Sequence, residues 1–241
     1  MSGHSKWANI RVKKGAQDAK RGKVFTRHAR LIEIAARSGG GDASSNASLR
    51  TAVDNAKADS VPNANIERAI KKGTGDLKGE QMQEMVYEAY GPGGTAFIIE
   101  CLSDNRNRTA ASVRQIVSKA GGRMAESGSV AYQFERKGLV LVDIVNGSAW
   151  SEDLELELID AGAEDIQKAD EGAEIVTSAS SWSKVRDVLT EKGFEIISAG
   201  LSMVPKQKVP VDEEIAGKVA RLMEAIEEDD DVSQVYTNAD V

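Results

Sequence analysis

A chain of 241 residues, 41% hydrophobic and 29% charged, is long enough for one large domain or two to three small ones, and its composition is that of a folded chain rather than a disordered one. No apolar run reaches the roughly 18 residues of a membrane span, residues 1–25 hold no apolar core of a secretory signal, and the lone Cys101 has no partner for an internal disulfide, so a cytoplasmic protein with no membrane contact is expected. The net charge of -7 hides an asymmetry: residues 1–75 carry 15 Lys/Arg against 6 Asp/Glu, and residues 76–241 carry 16 against 32.

Such a split points to a polyanion partner for the basic end and repels the same partner from the remainder. The basic end opens with the segment Lys6 to Lys14 around Trp7, an aromatic that can stack on a base or ribose or pack beneath the first helix. From Gly15 to Arg37, Val24, His28, Leu31 and Ala35 recur at helical spacing. Lys20, Lys23, Arg27 and Arg30 fall at i, i+3, i+7 and i+10, an arc of about 80° on one helix face. A solvated face is the ordinary meaning of such a stripe. Here only Asp18 and Glu33 are acidic among residues 1–37, and the stripe continues the Lys6–Lys14 segment, which favours nucleic acid.

"SGGGDASSN" is a loop. Leu49, Ala52, Val53 and Ala56 mark a second helix capped by Ser45 or Asn46. "VPNANIERAIKKG" is a third, with Asn63 as cap, Ile66, Ala69 and Ile70 inward and Gly73 as stop. Residues 1–76 are thus expected to form a small helical basic domain.

"GPGG" has Pro92 and Gly93 placed for a type II turn, and no GK[ST] follows to make it a phosphate loop. It leads into "TAFIIECL", a buried strand in which Cys101 is expected to be an inert thiol. In "SDNRNRT", Arg106 and Arg108 lie between a strand end and a helix N-terminus, with Thr109 as candidate cap. That loop either holds an anion or pairs its arginines with carboxylates such as Asp104. Val113, Ile116, Val117 and Ala120 line the helix, Gly121 and Gly122 end it, and "SVAYQF" alternates as a strand.

Residues 137–205 show the order βαββαβ: "LVLVDI", "SEDLELELIDAG" capped by Ser151, "EDIQK", "AEIVTS", "WSKVRDVLTEKG" and "FEIISAGLSMV", a ferredoxin-like unit. Pro205 to Pro210 reads as a linker, "DEEIAGKVARLMEAIEEDDD" as a helix and "VSQVYTN" as a last strand. These late elements return to residues 77–136, giving a discontinuous α/β domain of 77–136 plus 206–241 with 137–205 inserted in it. The expected fold is α+β in three domains, a small helical one and two α/β domains of ferredoxin-like type. The acidic run Glu227–Asp231 is either solvated or docks on the basic helix in competition with nucleic acid.

His4 and His28 belong to no metal-ligand spacing, and no paired CxxC, GxSxG elbow or carboxylate pair emerges. No cofactor, metal, small-molecule substrate or enzymatic activity is therefore expected.

"GHSKWANI", "QDAKRGKVF", "YGPGGTA", "ECLSDNRNRT", "GSVAYQF" and "VYTN", in this order along nearly the whole chain, resemble the YebC/PmpR family. Departures are Val12 where the family often has His, Gly15 for a usual Ala and Ala125 for a common Gly. The resemblance implies three domains and a non-enzymatic regulator of gene expression. Relatives are described as transcriptional regulators that bind DNA, while others act in translation: a mitochondrial translational activator of cytochrome oxidase, and bacterial members that act on the ribosome at proline-rich stretches. Carried over by motif, the nucleic-acid surface is Lys6, Trp7, Arg11, Lys13, Lys14, Lys20, Arg21, Lys23 and Arg27. A second surface is the Asp104–Arg108 loop with Asn105, Arg106 and Arg108. The partner so implied is DNA or ribosomal RNA, with the ribosome as the larger assembly.

Overall fold

The computed structural model describes residues 17–77, 82–144, 150–169 and 172–240, with side chains from residue 22 onward. The chain is α+β and packs as two compact units. One comprises residues 16–127 with 218–235, and the other is built mainly from 128–217, which interrupts it, with 236–241.

The first unit begins with three helices: α1 (Gln17–Gly39), α2 (Ala47–Ala58) and α3 (Asn63–Gly73). Ile32, Ala36, Leu49, Val53, Ala56, Ile66 and Ala69 form their shared core. Asn46 joins two of them: its side chain accepts from the Leu49 N–H as the cap of α2 and donates to the carbonyls of Ala35 and Gly40 at the end of α1. Asn63 does not cap the third helix, because it is already its first helical residue; Pro62 holds the N-cap position, with no side-chain cap hydrogen bond. Glu33 is buried and sits between Arg37 (2.8 Å) and Lys72 (3.1 Å), tying α1 to α3.

The unit continues with β1 (Gln83–Tyr90), β2 (Ala96–Ser103), α4 (Arg106–Lys119) and β3 (Arg123–Ala125). It is completed by α7 (Glu213–Glu227) and β9 (Val232–Thr237), whose ends run into the second unit. The sheet order is β3-β1-β2-β9. Gly93, at φ 70° and ψ 12°, is the third residue of the turn joining β1 to β2, and the Gly94 N–H donates to Gly91 O, as a type II turn requires. α4 packs on β1, β2 and β3 and buries Val113 and Val117, while α7 buries Val219, Leu222 and Ile226. Two expectations fail here. "SVAYQF" is a turn and a 3-10 segment at Ala131–Gln133, leaving Tyr132 68% exposed, and the third strand is instead Arg123–Ala125. Thr109 does not cap α4; Asn105 does, accepting from the Arg108 N–H.

The second unit holds β4 (Phe134–Asp143), α5 (Glu152–Asp160), β5 (Ala163–Ala169), β6 (Gly172–Thr177), α6 (Trp182–Glu191) and β7 (Glu195–Pro205). The sheet order β5-β6-β4-β7 is antiparallel throughout, which is the ferredoxin-like arrangement. Val140, Val142, Leu154, Leu158, Ile175, Val185 and Leu189 form the core between sheet and helices. Ser151 caps α5. The Pro205–Pro210 stretch is not a free linker: β8 (Val209–Pro210) pairs in parallel with β10 (Ala239–Asp240), and the Lys206 N–H donates to Gln133 O.

Candidate nucleic-acid interface

Of the residues expected to meet nucleic acid, Lys6, Trp7, Arg11, Lys13 and Lys14 lie outside the described residues. So do the side chains of Lys20 and Arg21, although their backbone belongs to α1.

Lys23 and Arg30 of the α1 stripe are engaged within the first unit. The Lys23 ammonium donates to the carbonyls of Glu227 and, at 2.8 Å, Asp229. Arg30 donates to Leu102 O (2.7 Å) and Asp230 O (2.6 Å), and its guanidinium lies 3.4 Å from an Asp231 carboxylate oxygen. The last carbonyls of a helix have no partner within it and carry its negative dipole end, so the Lys23 ammonium on Glu227 O satisfies both needs, while Arg30 bonds carbonyls outside α7. The acidic run does therefore dock on the basic helix, and it does so mainly through backbone oxygens. Burial pulls the Lys23 ammonium below its ordinary pKa, against the opposing pull of Asp230, Asp229, Glu227 and Glu228.

Arg27 is half-buried, its Nε enclosed and without a hydrogen-bond partner among the described residues. Beside it, the buried His28 Nε2 meets Asp59 Oδ2 at 2.5 Å, and that hydrogen bond holds the Asp59 carboxyl below the usual range despite its partial burial. His28 is thus a packed, partnered histidine of the helical core.

The Asp104–Arg108 loop closes on itself. Asn105 commits its side chain to the cap of α4. Arg108 reaches Asp104 (3.1 Å) and Asp231 (3.0 Å), and the Asp231 hydrogen bond raises its pKa further. Arg106 is exposed and forms no ion pair among the described residues.

Asp231, which sequence reasoning placed only within a solvated or docking acidic run, is where these contacts meet. It accepts from Ser103 Oγ (3.0 Å), Thr109 Oγ1 (2.8 Å) and Arg108, with Arg30 alongside. Burial pushes its carboxyl up, but the donors Thr109, Arg108 and Ser103 outweigh burial and hold it below the usual range. The Cys101 thiol is buried in β2 and pushed up to about 12, by burial first and then by Asp229, Asp231 and Glu100. It is inert. Among the described residues no group of His, Cys, Asp and Glu is arranged to hold a metal.

Exposed cations that the sequence reading passed over are Arg50 and Lys57 on α2, Arg68 and Lys71 on α3, and Arg114, Lys119 and Arg123 at and beyond α4. Their only sequence signal is the basic excess.

The first unit thus presents a basic three-helix module whose positive helix face is partly engaged by an acidic helix end. The chain belongs to the TACO1/YebC family: the family's N-terminal domain matches residues 5–76 and its second and third domains match residues 82–239. It is 48% identical to a "Probable transcriptional regulatory protein" of Halothermothrix orenii, over 100% of this chain and 96% of that one. A protein of the same description from Treponema denticola is 49% identical, over 100% and 97%. The crystal structure of a conserved hypothetical protein, Aq1575, from Aquifex aeolicus superposes with a TM-score of 0.82 at 43% identity, covering 92% of this chain and 91% of that one.

Proposed function

We propose that this protein is a non-enzymatic, cytoplasmic regulator of gene expression that binds nucleic acid through its N-terminal helical module. The observation that carries this reading is the charge division: 15 Lys/Arg against 6 Asp/Glu in residues 1–75, followed by an acidic body. The names of its relatives support transcription as the process.

A second reading, a translation factor that binds ribosomal RNA and relieves stalling at proline-rich stretches, is favoured by a different observation. A DNA-reading helix must lie free along one face in the major groove. α1 buries Ile32, Ala35 and Ala36 against α2 and α3, while Lys23 and Arg30 are held by the end of α7. What remains is a basic surface suited to phosphates and to RNA shape rather than to base edges.

Crosslinking the full-length protein in cells and sequencing the bound nucleic acid separates the two. Promoter DNA supports transcription and ribosomal RNA supports translation, and recovery of neither overturns nucleic-acid binding. Co-sedimentation with ribosomes gives the same division more cheaply.

A further inference from the structure

Four glycines, one tyrosine and one arginine from separate stretches of sequence converge in the first unit. Tyr90 and Gly91 end β1, Gly94 closes the β1–β2 turn, Gly121 and Gly122 follow α4, and Arg123 opens β3. Together they line an open cavity of about 420 Å³. That is within the size range of small-ligand sites and large enough for one nucleotide. The Arg123 guanidinium stacks on the Tyr90 ring, 4.3 Å from its centroid. Arg123 is exposed and forms no ion pair among the described residues. Carboxylates are scarce nearby in sequence: from residue 104 to 125 there are five cations, Arg106, Arg108, Arg114, Lys119 and Arg123, against Asp104 alone, inside a half of the chain that is otherwise strongly acidic.

The backbone narrows the ligand. The N–H of Gly91 donates to Thr95 O, that of Gly94 to Gly91 O, that of Gly121 to Ser118 O and that of Gly122 to Val117 O. The wall therefore offers no free amide nest for a bare phosphate, and the donors left are those of Arg123. Gly91 and Gly122 are packed against protein, where a Cβ would press on the Phe97 ring and lie 2.8 Å from the Tyr90 carbonyl oxygen, respectively. A Cβ on Gly94 or Gly121 would meet nothing within 4 Å, so the space beside both residues is open. Open space beside two glycines, a tyrosine held under a guanidinium and a cation without an ion pair suit a planar ring carrying a negative charge. We infer that this pocket receives one nucleotide of a single-stranded nucleic acid, its base against the glycine wall and the Tyr90–Arg123 stack, its phosphate on Arg123. The inference rests on the nucleic-acid reading above and adds to it a second contact point, on the α/β part of the first unit.

The test uses the full-length chain, a fluorescein-labelled ten-nucleotide single-stranded RNA containing 4-thiouridine, AMP, and a hexaglutamate peptide as competitor. Arg123→Glu should weaken the RNA about tenfold, Arg123→Gln less, as expected when one stacked, charge-assisted interaction is removed. Photo-crosslinks should map to residues 90–94 or 121–123. Saturable AMP binding that is abolished in Arg123→Glu, without RNA binding, would assign the pocket to a free nucleotide; RNA binding that weakens in Arg123→Glu, with little AMP binding, assigns it to a nucleotide within a chain. An RNA affinity unchanged in Arg123→Glu but abolished in the triple variant Lys6→Glu, Lys13→Glu, Lys14→Glu overturns the pocket and leaves the proposed function standing. No binding of RNA or AMP by the parent overturns both. Hexaglutamate binding that depends on Arg123 while nucleotides do not bind overturns the nucleotide assignment in favour of an acidic peptide.

Discussion

At the scale of single residues, Asp231 is the most exacting position. Its carboxylate serves Ser103, Thr109, Arg108 and Arg30 from a site only 6% exposed. Asp231→Ala leaves two guanidinium groups and two hydroxyls without their common acceptor, and should cost about 3 kcal/mol in urea unfolding, the usual size for removing one partner of a buried pair. Because its folded pKa lies below that of the unfolded carboxyl, near 4, its contribution is present above that pH and lost as pH falls through the folded value. Stability measured between about pH 5 and 2 should therefore fall less steeply in Asp231→Asn than in the parent. Gly73 is a second such position for a steric reason. A Cβ there would lie 2.8 Å from the Ala36 Cβ and press on the Glu33 carbonyl, so α1 and α3 can approach only over a glycine. Gly73→Ala should cost about 1–3 kcal/mol as overpacking, visible as a lowered urea midpoint with unchanged slope.

At the scale of elements, the clamp of α1 on the end of α7 shows what the sequence could and could not disclose. The helices α1 to α3 and the βαββαβ unit were legible because their apolar residues repeat at the period of the element they form. β1 was not. "QEMVYEAY" is rich in helix formers, its burial does not alternate cleanly and it buries Glu88, so its strand state comes from pairing with β2 and β3. "SVAYQF" failed in the opposite way: it alternates, but Gly128 at φ 87° and the 3-10 turn after it break the strand. The cations failed for a related reason. Counting charge finds Lys23 and Arg30, but their partners lie about 200 residues away and are mostly backbone carbonyls, which have no sequence signature. This geometry also changes what neutralising the acidic run should do. Glu227→Gln, Glu228→Gln, Asp229→Asn and Asp230→Asn together leave the carbonyl acceptors in place. RNA or DNA affinity should then tighten less than about threefold, the size of a screened surface field. A tenfold or greater gain in a filter-binding titration would instead identify the acidic run as a competitor for the same cations.

At the scale of the whole molecule, the division of charge makes the salt dependence of binding the decisive quantity. If the basic end meets about five phosphates, the log–log slope of affinity against salt should be near -4, and affinity should fall a few hundredfold between about 50 and 200 mM. The clamp decides which residues supply that slope. Lys23 and Arg30 already face carbonyls and Asp231, so replacing them by glutamate should lower the unfolding midpoint of the helical module, and any weakening of binding would follow the unfolding. Lys6, Arg11, Lys13 and Lys14 form the other basic segment, and reversing these four should change the unfolding free energy by less than about 0.5 kcal/mol while flattening the slope by about three to four units, nearly one for each phosphate no longer neutralised. Paired measurement of midpoint and slope on the two variants therefore separates anchor from interface. A slope that stays near -4 after the four N-terminal reversals would move the phosphate-binding role onto the other exposed cations of the first unit, Arg50, Lys57, Arg68 and Lys71 on α2 and α3 and Arg106, Arg114, Lys119 and Arg123 at and beyond α4.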